Sequence, residues 1–163
     1  MAKYGHVKIG LKMKFPARKN YATILCALLC VAGLSLAPSA LADELMLVVV
    51  GANSPLVSLD KNQVRNIFLG KVTALPDGSN VIPVDQPESS PLREEFYVKV
   101  VEHSAAEVKA HWAQLAFTGR GEPPHESRGS DDVKAILNAT PGAIGYIEKS
   151  ALDSSVKVVL IVE

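Results

Sequence analysis

Cysteine is nearly missing from this chain of 163 residues, and the two present, Cys26 and Cys30, both fall within the first forty-two positions. The remainder can hold neither a disulfide nor a thiolate metal site. Histidine offers no replacement, because His103, His111 and His125 belong to three different predicted elements and lack ligand spacing. No serine has a histidine beside it in sequence to activate it, so the chain gives no sign of a nucleophilic enzyme, and no cofactor motif is present. An excess of positive charge is also missing: 17 basic residues balance 17 acidic ones. There is no internal repeat and no low-complexity run.

What is present begins with an export signal over residues 1–42. Lys3, Lys8, Lys12, Lys14, Arg18 and Lys19 form a basic leader, residues 24–36 an apolar core, and Ala40-Leu41-Ala42 a small-x-small cleavage site. The core of about 13 residues is shorter than the ~20 that span a bilayer, so cleavage after Ala42 is expected rather than stable membrane insertion. A lipoprotein signal fits less well, since Leu28 and Leu29 precede Cys30 where a small residue is required. Removing these six basic residues and no acidic one leaves 11 basic against 17 acidic, a formal charge of −6. That balance argues against nucleic acid and anionic membranes as partners, while leaving open a small anion held by a local nest of donors.

Residues 43–163 suit one domain with a single core. Residues 45–50 are continuously apolar, as in a strand buried on both faces. Asp60 and Gln63 form a capping box for a short helix carrying Val64, Ile67 and Phe68 and ended by Gly70. Pro76-Asp77-Gly78-Ser79 makes a turn, and residues 81–84 make a strand that Pro83 assigns to an edge or to the start of pairing. Ser90-Pro91 opens a helix with Leu92, Phe96, Val100 and Val101 on its buried side, and Ser104 with Glu107 caps another that carries Val108, Trp112 and Leu115. Trp112 and Phe117 are assigned to the core. The glycine- and proline-rich stretch from Phe117 to Ser130 predicts a long surface loop, Ser130 an N-cap, and residues 143–147 and 156–162 two strands. The alternation of elements predicts an α/β domain with one mixed sheet flanked by helices.

The segment from Val81 to Phe96 carries the chemistry. An apolar strand passes through Asp85, Gln86, Pro87 and Glu88 to two hydroxyls, Ser89 and Ser90, at a helix start, where unpaired N–H groups and the helix dipole favour an anion.

Three segments together resemble the periplasmic substrate-binding proteins of phosphate ABC transporters. Residues 59–71 are similar to the family's helix ending in I-F-x-G-K, residues 81–96 occupy the place of its strand, loop and S-G-T helix start, and residues 141–147 are similar to its P-G-A-I-G-Y strand. The resemblance implies a fold similar to one lobe of a type II periplasmic binding protein, a periplasmic location, phosphate as ligand and a transporter permease as partner. In the family phosphate lies between two lobes, and all three segments belong to one of them. The family's loop begins with arginine, where this chain has Asp85; Ser89 matches its serine, and Ser90 and Pro91 replace its glycine and threonine. A carboxylate at ~5 Å from an anion costs about 3 kcal/mol per charge pair at an effective dielectric near 20.

Two roles stay open for each residue of the segment. Ser89 and Ser90 either bind phosphate or another oxyanion or cap the helix, Arg93 either joins that site or pairs on the surface with Glu88 or Glu94, and Gln86 is assigned to the anion site. Asp85 is either a ligand contact or an acceptor of loop N–H groups. Arg128, Gly129 and Ser130 resemble a second family loop, or are a plain cap. The corresponding functions are a non-enzymatic substrate-binding module, and a scaffold that keeps one lobe and contacts a protein partner.

Overall fold

The computed structural model describes residues 45–74 and 78–163; the expected export signal and the Pro76 and Asp77 part of the turn lie outside them. The elements are β1 (Met46–Gly51), α1 (Lys61–Phe68), β2 (Ile82–Asp85), α2 (Pro91–Phe96), α3 (Ala105–Phe117), β3 (His125–Glu126), α4 (Ser130–Ala139), β4 (Ala143–Glu148) and β5 (Val156–Val162). One five-stranded sheet has the order β3-β2-β4-β1-β5. β1 runs antiparallel to β4 and β5, whereas β2 runs parallel to β3 and β4. The predicted mixed sheet is therefore present, and β1 sits inside it.

β1 explains its own sequence. All six of its residues are buried, and its apolar run divides by the two-residue period of a strand. Met46, Val48 and Val50 pack with α1, α2 and α3, while Leu47 and Val49 pack with Val133 and Leu137 of α4. A strand covered on both faces needs apolar residues at every position.

Both predicted capping boxes form. Asp60 Oδ1 accepts the Gln63 N–H at 2.8 Å and Gln63 Oε1 accepts the Asp60 N–H at 2.8 Å. Ser104 and Glu107 do the same for α3. α2 passes without a break into a π-turn, Tyr97–Val101, which ends at Glu102 with φ 63°. The wider turn places Phe96 and Tyr97, and again Val100 and Val101, side by side in the core. Gly145 lets α4 approach the sheet, since a Cβ there would lie 2.7 Å from Val133 Cγ1.

Three expectations change, and one pair of alternatives is resolved. Phe117 is not in the core: it is 94% exposed, because the inward side of α3 is taken by Val108 and Trp112. For Pro83 the second alternative holds: β3 pairs with the last two residues of β2, leaving Pro83 at the start of pairing, where its missing N–H breaks no β2–β3 bond. The stretch from Phe117 to Ser130 contains that short strand and a buried Ser127, whose N–H and hydroxyl both donate to the Asp85 carbonyl, at 2.8 and 2.7 Å. The N-cap of α4 is Gly129, at φ 140°, and Ser130 is the first helical residue.

Candidate functional site

β2 delivers Asp85 into the interior at its C-terminal end, where the carboxylate is only 2% exposed. An unpaired carboxylate would be strongly disfavoured there, and four donors surround it. Arg93 Nε donates at 2.9 Å, Tyr97 OH at 2.7 Å and the Gln86 N–H at 2.9 Å, with Tyr146 OH as the fourth. Helical geometry supplies two of these, because Arg93 and Tyr97 stand four residues apart on the continuous α2 and π-turn segment. β4 supplies Tyr146, whose ring stacks on Phe96 at 3.9 Å with an interplanar angle of 4°. Burial, and then the Asp85 charge, push both tyrosine hydroxyls well above their ordinary pKa. Burial opposes the charge of Arg93, yet Asp85 and Tyr97 together hold its pKa above the usual value. The cluster is a neutralised ion pair fixed by two phenols.

Gln86 is equally committed. Its side chain is buried, and Nε2 donates to the Tyr146 carbonyl at 2.9 Å and to Ser130 Oγ at 3.2 Å. Ser130 in turn donates to Glu148. Arg128 lies on the surface and grips Asp132 through Nε at 3.2 Å and Nη2 at 2.7 Å. That contact holds the Asp132 carboxyl down at about 2. Arg128 and Ser130 are therefore both engaged within the protein, and Gly129 supplies the turn between them.

Ser89 is exposed and Ser90 half-buried. Ser90 occupies the N-cap position, as expected, but its hydroxyl makes no capping bond to the helix. Its own N–H donates to the Pro87 carbonyl at 2.9 Å. The Glu88 N–H, one of the amides an anion cradle would use, donates instead to Glu126 Oε1 at 3.2 Å. Gln86 and Arg93 thus converge on Asp85, with Ser130 joined through the Gln86 side chain, while neither serine hydroxyl bonds into that cluster.

Tyr97, Tyr146, Ser127 and Glu126 escaped sequence reasoning. The four-residue interval from Arg93 to Tyr97 was a usable sign. Nothing in the sequence placed Tyr146 or Ser127 against Asp85, because both arrive from distant strands. Beside the cluster, α2, α3 and the segment before β3 border a cleft of about 400 Å³, whose lining includes Asp85, Arg93, Glu88, Lys109 and Glu126. Lys109 pairs with Glu88 at 2.7 Å and draws that carboxyl below its usual range.

No protein-family model and no curated protein matches the sequence. Solved structures do match in fold. A phosphate ABC transporter substrate-binding protein from Clostridium perfringens, with phosphate bound, is 24% identical at a TM-score of 0.58, over 71% of this chain and 45% of that one. An ABC-type phosphate transport receptor from Vibrio cholerae is 19% identical at 0.56, over 71% and 46%. PstS from Borrelia burgdorferi is 10% identical at 0.54, again over 71% and 46%. The chain thus spans less than half the length of the structures it matches, and its α/β domain has the fold of one lobe of the substrate-binding proteins of phosphate ABC transporters.

Proposed function

We infer that this chain is an exported, non-enzymatic module of the substrate-binding-protein type, in which Asp85 stands where the resemblance gives an arginine and engages the lobe's donors, and the surface contacts a protein partner. The observation that carries this reading is the shell around Asp85, where Arg93, Tyr97, Tyr146 and the Gln86 amide all serve an internal carboxylate. Donors engaged in this way are not available to cargo, and Glu88 and Glu126 add like charge beside them. Export, with cleavage after Ala42 and a periplasmic destination, rests on residues 1–42.

A second reading keeps phosphate or another small oxyanion at Ser89 and Ser90, with Arg93 and Gln86 behind them and Arg128, Gly129 and Ser130 closing the shell, in the service of an ABC-type permease. Ser90 favours it, since its hydroxyl makes no capping bond.

Calorimetric titration of the exported chain with phosphate, sulfate and nitrate separates the two. The first reading expects no heat at millimolar anion. Heat that disappears in a Ser89→Ala/Ser90→Ala double variant would overturn it in favour of the second.

A further inference from the structure

We propose that two copies of this chain associate about a two-fold axis, each inserting Phe117 into the cleft beside the other's Asp85 cluster. The proposal rests on the protein-contact reading above and names the partner.

Phe117 is the starting point. It closes α3 at 94% exposure, the highest among the exposed large hydrophobic residues of the described chain. A phenyl group of this kind buries roughly 150–250 Å² when it finds a pocket. The cleft supplies one, with a volume of about 400 Å³ and walls of Trp112, Ala113, Ala116, Pro123 and Pro124. Two of its three carboxylates are compensated, Asp85 by Arg93 at 2.9 Å and Glu88 by Lys109 at 2.7 Å, which leaves the apolar wall and Glu126 to meet a visitor.

Knob and socket share one helix. Phe117 follows Ala116 directly and stands four residues beyond Ala113, the interval that sets side chains next to each other on a helix surface. The cleft runs along this helix from Val108 to Ala116 and Phe117 closes the helix, so knob and socket adjoin on one surface, and a two-fold rotation that exchanges them closes the assembly. A knob and socket on distant faces would instead build an open filament.

Charge supports the same arrangement. Arg120 lies three residues past Phe117 and has no acidic partner among the described residues. Glu126 is on the cleft rim, has no cationic partner among the described residues, and touches only the Glu88 N–H. Inserting Phe117 carries Arg120 towards Glu126 of the other copy, and symmetry repeats the pair. Two phenyl groups contribute on the order of 400 Å², well short of the roughly 1,200 Å² at which stable interfaces begin, so the association is weak and concentration-dependent.

Sedimentation equilibrium of the chain recovered after export, over a micromolar to high-micromolar series, reads the mass directly. The expected result is a rise towards twice the monomer mass, which Phe117→Ala abolishes without lowering the unfolding midpoint. Trp112, the single tryptophan of the chain, lines the cleft, so its emission should shift with concentration in the parent and stay constant in Phe117→Ala. Arg120→Glu and Glu126→Arg should each weaken the dimer, and the two together should restore it. A parent that stays monomeric throughout, or a dimer indifferent to Phe117→Ala, overturns the proposal. Neither result bears on the phosphate titration, so the two readings fail separately.

Discussion

Asp85 and Arg93 show why a buried charge is held by more than its counter-ion. At 2% exposure the Asp85 carboxylate has lost its water, and Arg93 alone leaves acceptor capacity unfilled. Tyr97, Tyr146 and the Gln86 amide complete the shell. Asp85→Ala strands a half-buried guanidinium and two buried phenols, and should cost about 3 kcal/mol in urea unfolding. Tyr97→Phe removes one donor to a charged acceptor and should cost roughly 1.5–3 kcal/mol. Combining them should cost less than the sum, because once the carboxylate is gone the Tyr97 hydroxyl has no charge to serve. Full additivity in that double-mutant cycle would mean the four groups do not act as a unit. On the surface, the Arg128 contact keeps Asp132 ionised down to about pH 2. The folded pKa lies below the unfolded value near 3.9, so this contact stabilises above about pH 4 and its contribution disappears as pH falls towards 2. Titration by NMR should find the Asp132 carboxyl moving back up towards its ordinary range in Arg128→Ala.

Among the elements, those fixed by local chemistry were legible. The Asp60 and Ser104 boxes formed because their partners lie three residues away, so each cap closes without help from the rest of the chain. Asp60→Ala should cost about 1 kcal/mol. The spacing of Leu92, Phe96 and Val100 located the buried side of α2, but the π-turn was not foreseen. Its cause lies outside the segment, in a core that takes Tyr97 as well as Phe96 and in Glu102, held by Lys61 at 3.0 Å and by Arg65. Gly145 belongs to the same class, since its small size matters only because α4 crosses there. Gly145→Ala places a methyl 2.7 Å from Val133 Cγ1 and should destabilise by about 1–3 kcal/mol, read from the denaturant midpoint. An unchanged midpoint would show that α4 can shift away at little cost.

For the whole molecule, the sequence divides into two regions of opposite character, basic and apolar over residues 1–42 and acidic over residues 43–163. Intact-mass measurement on the periplasmic fraction should give a chain beginning at Asp43; a mass retaining Met1 would remove the export proposal. Among the described residues no helix is long and apolar enough to cross a membrane. The domain has the fold of one lobe of larger binding proteins, with the sheet order β3-β2-β4-β1-β5. It leaves the ligand to the site, where Asp85 takes the place that the resemblance gives to an arginine.

The amino-acid sequence by itself determined the α/β class, the capped helix starts, the doubly buried first strand and the acidic balance of the domain, all of which follow from neighbours, periodicity and composition. Only the tertiary structure decided that Arg93 serves Asp85, that Gln86 and Ser130 face inward, and that Phe117 faces out. The inward placement of Gln86 and Ser130 and the completed shell around Asp85 depend on groups that β3, β4 and α4 bring to the end of β2 from forty to sixty residues away, and no local pattern encodes a meeting at that distance.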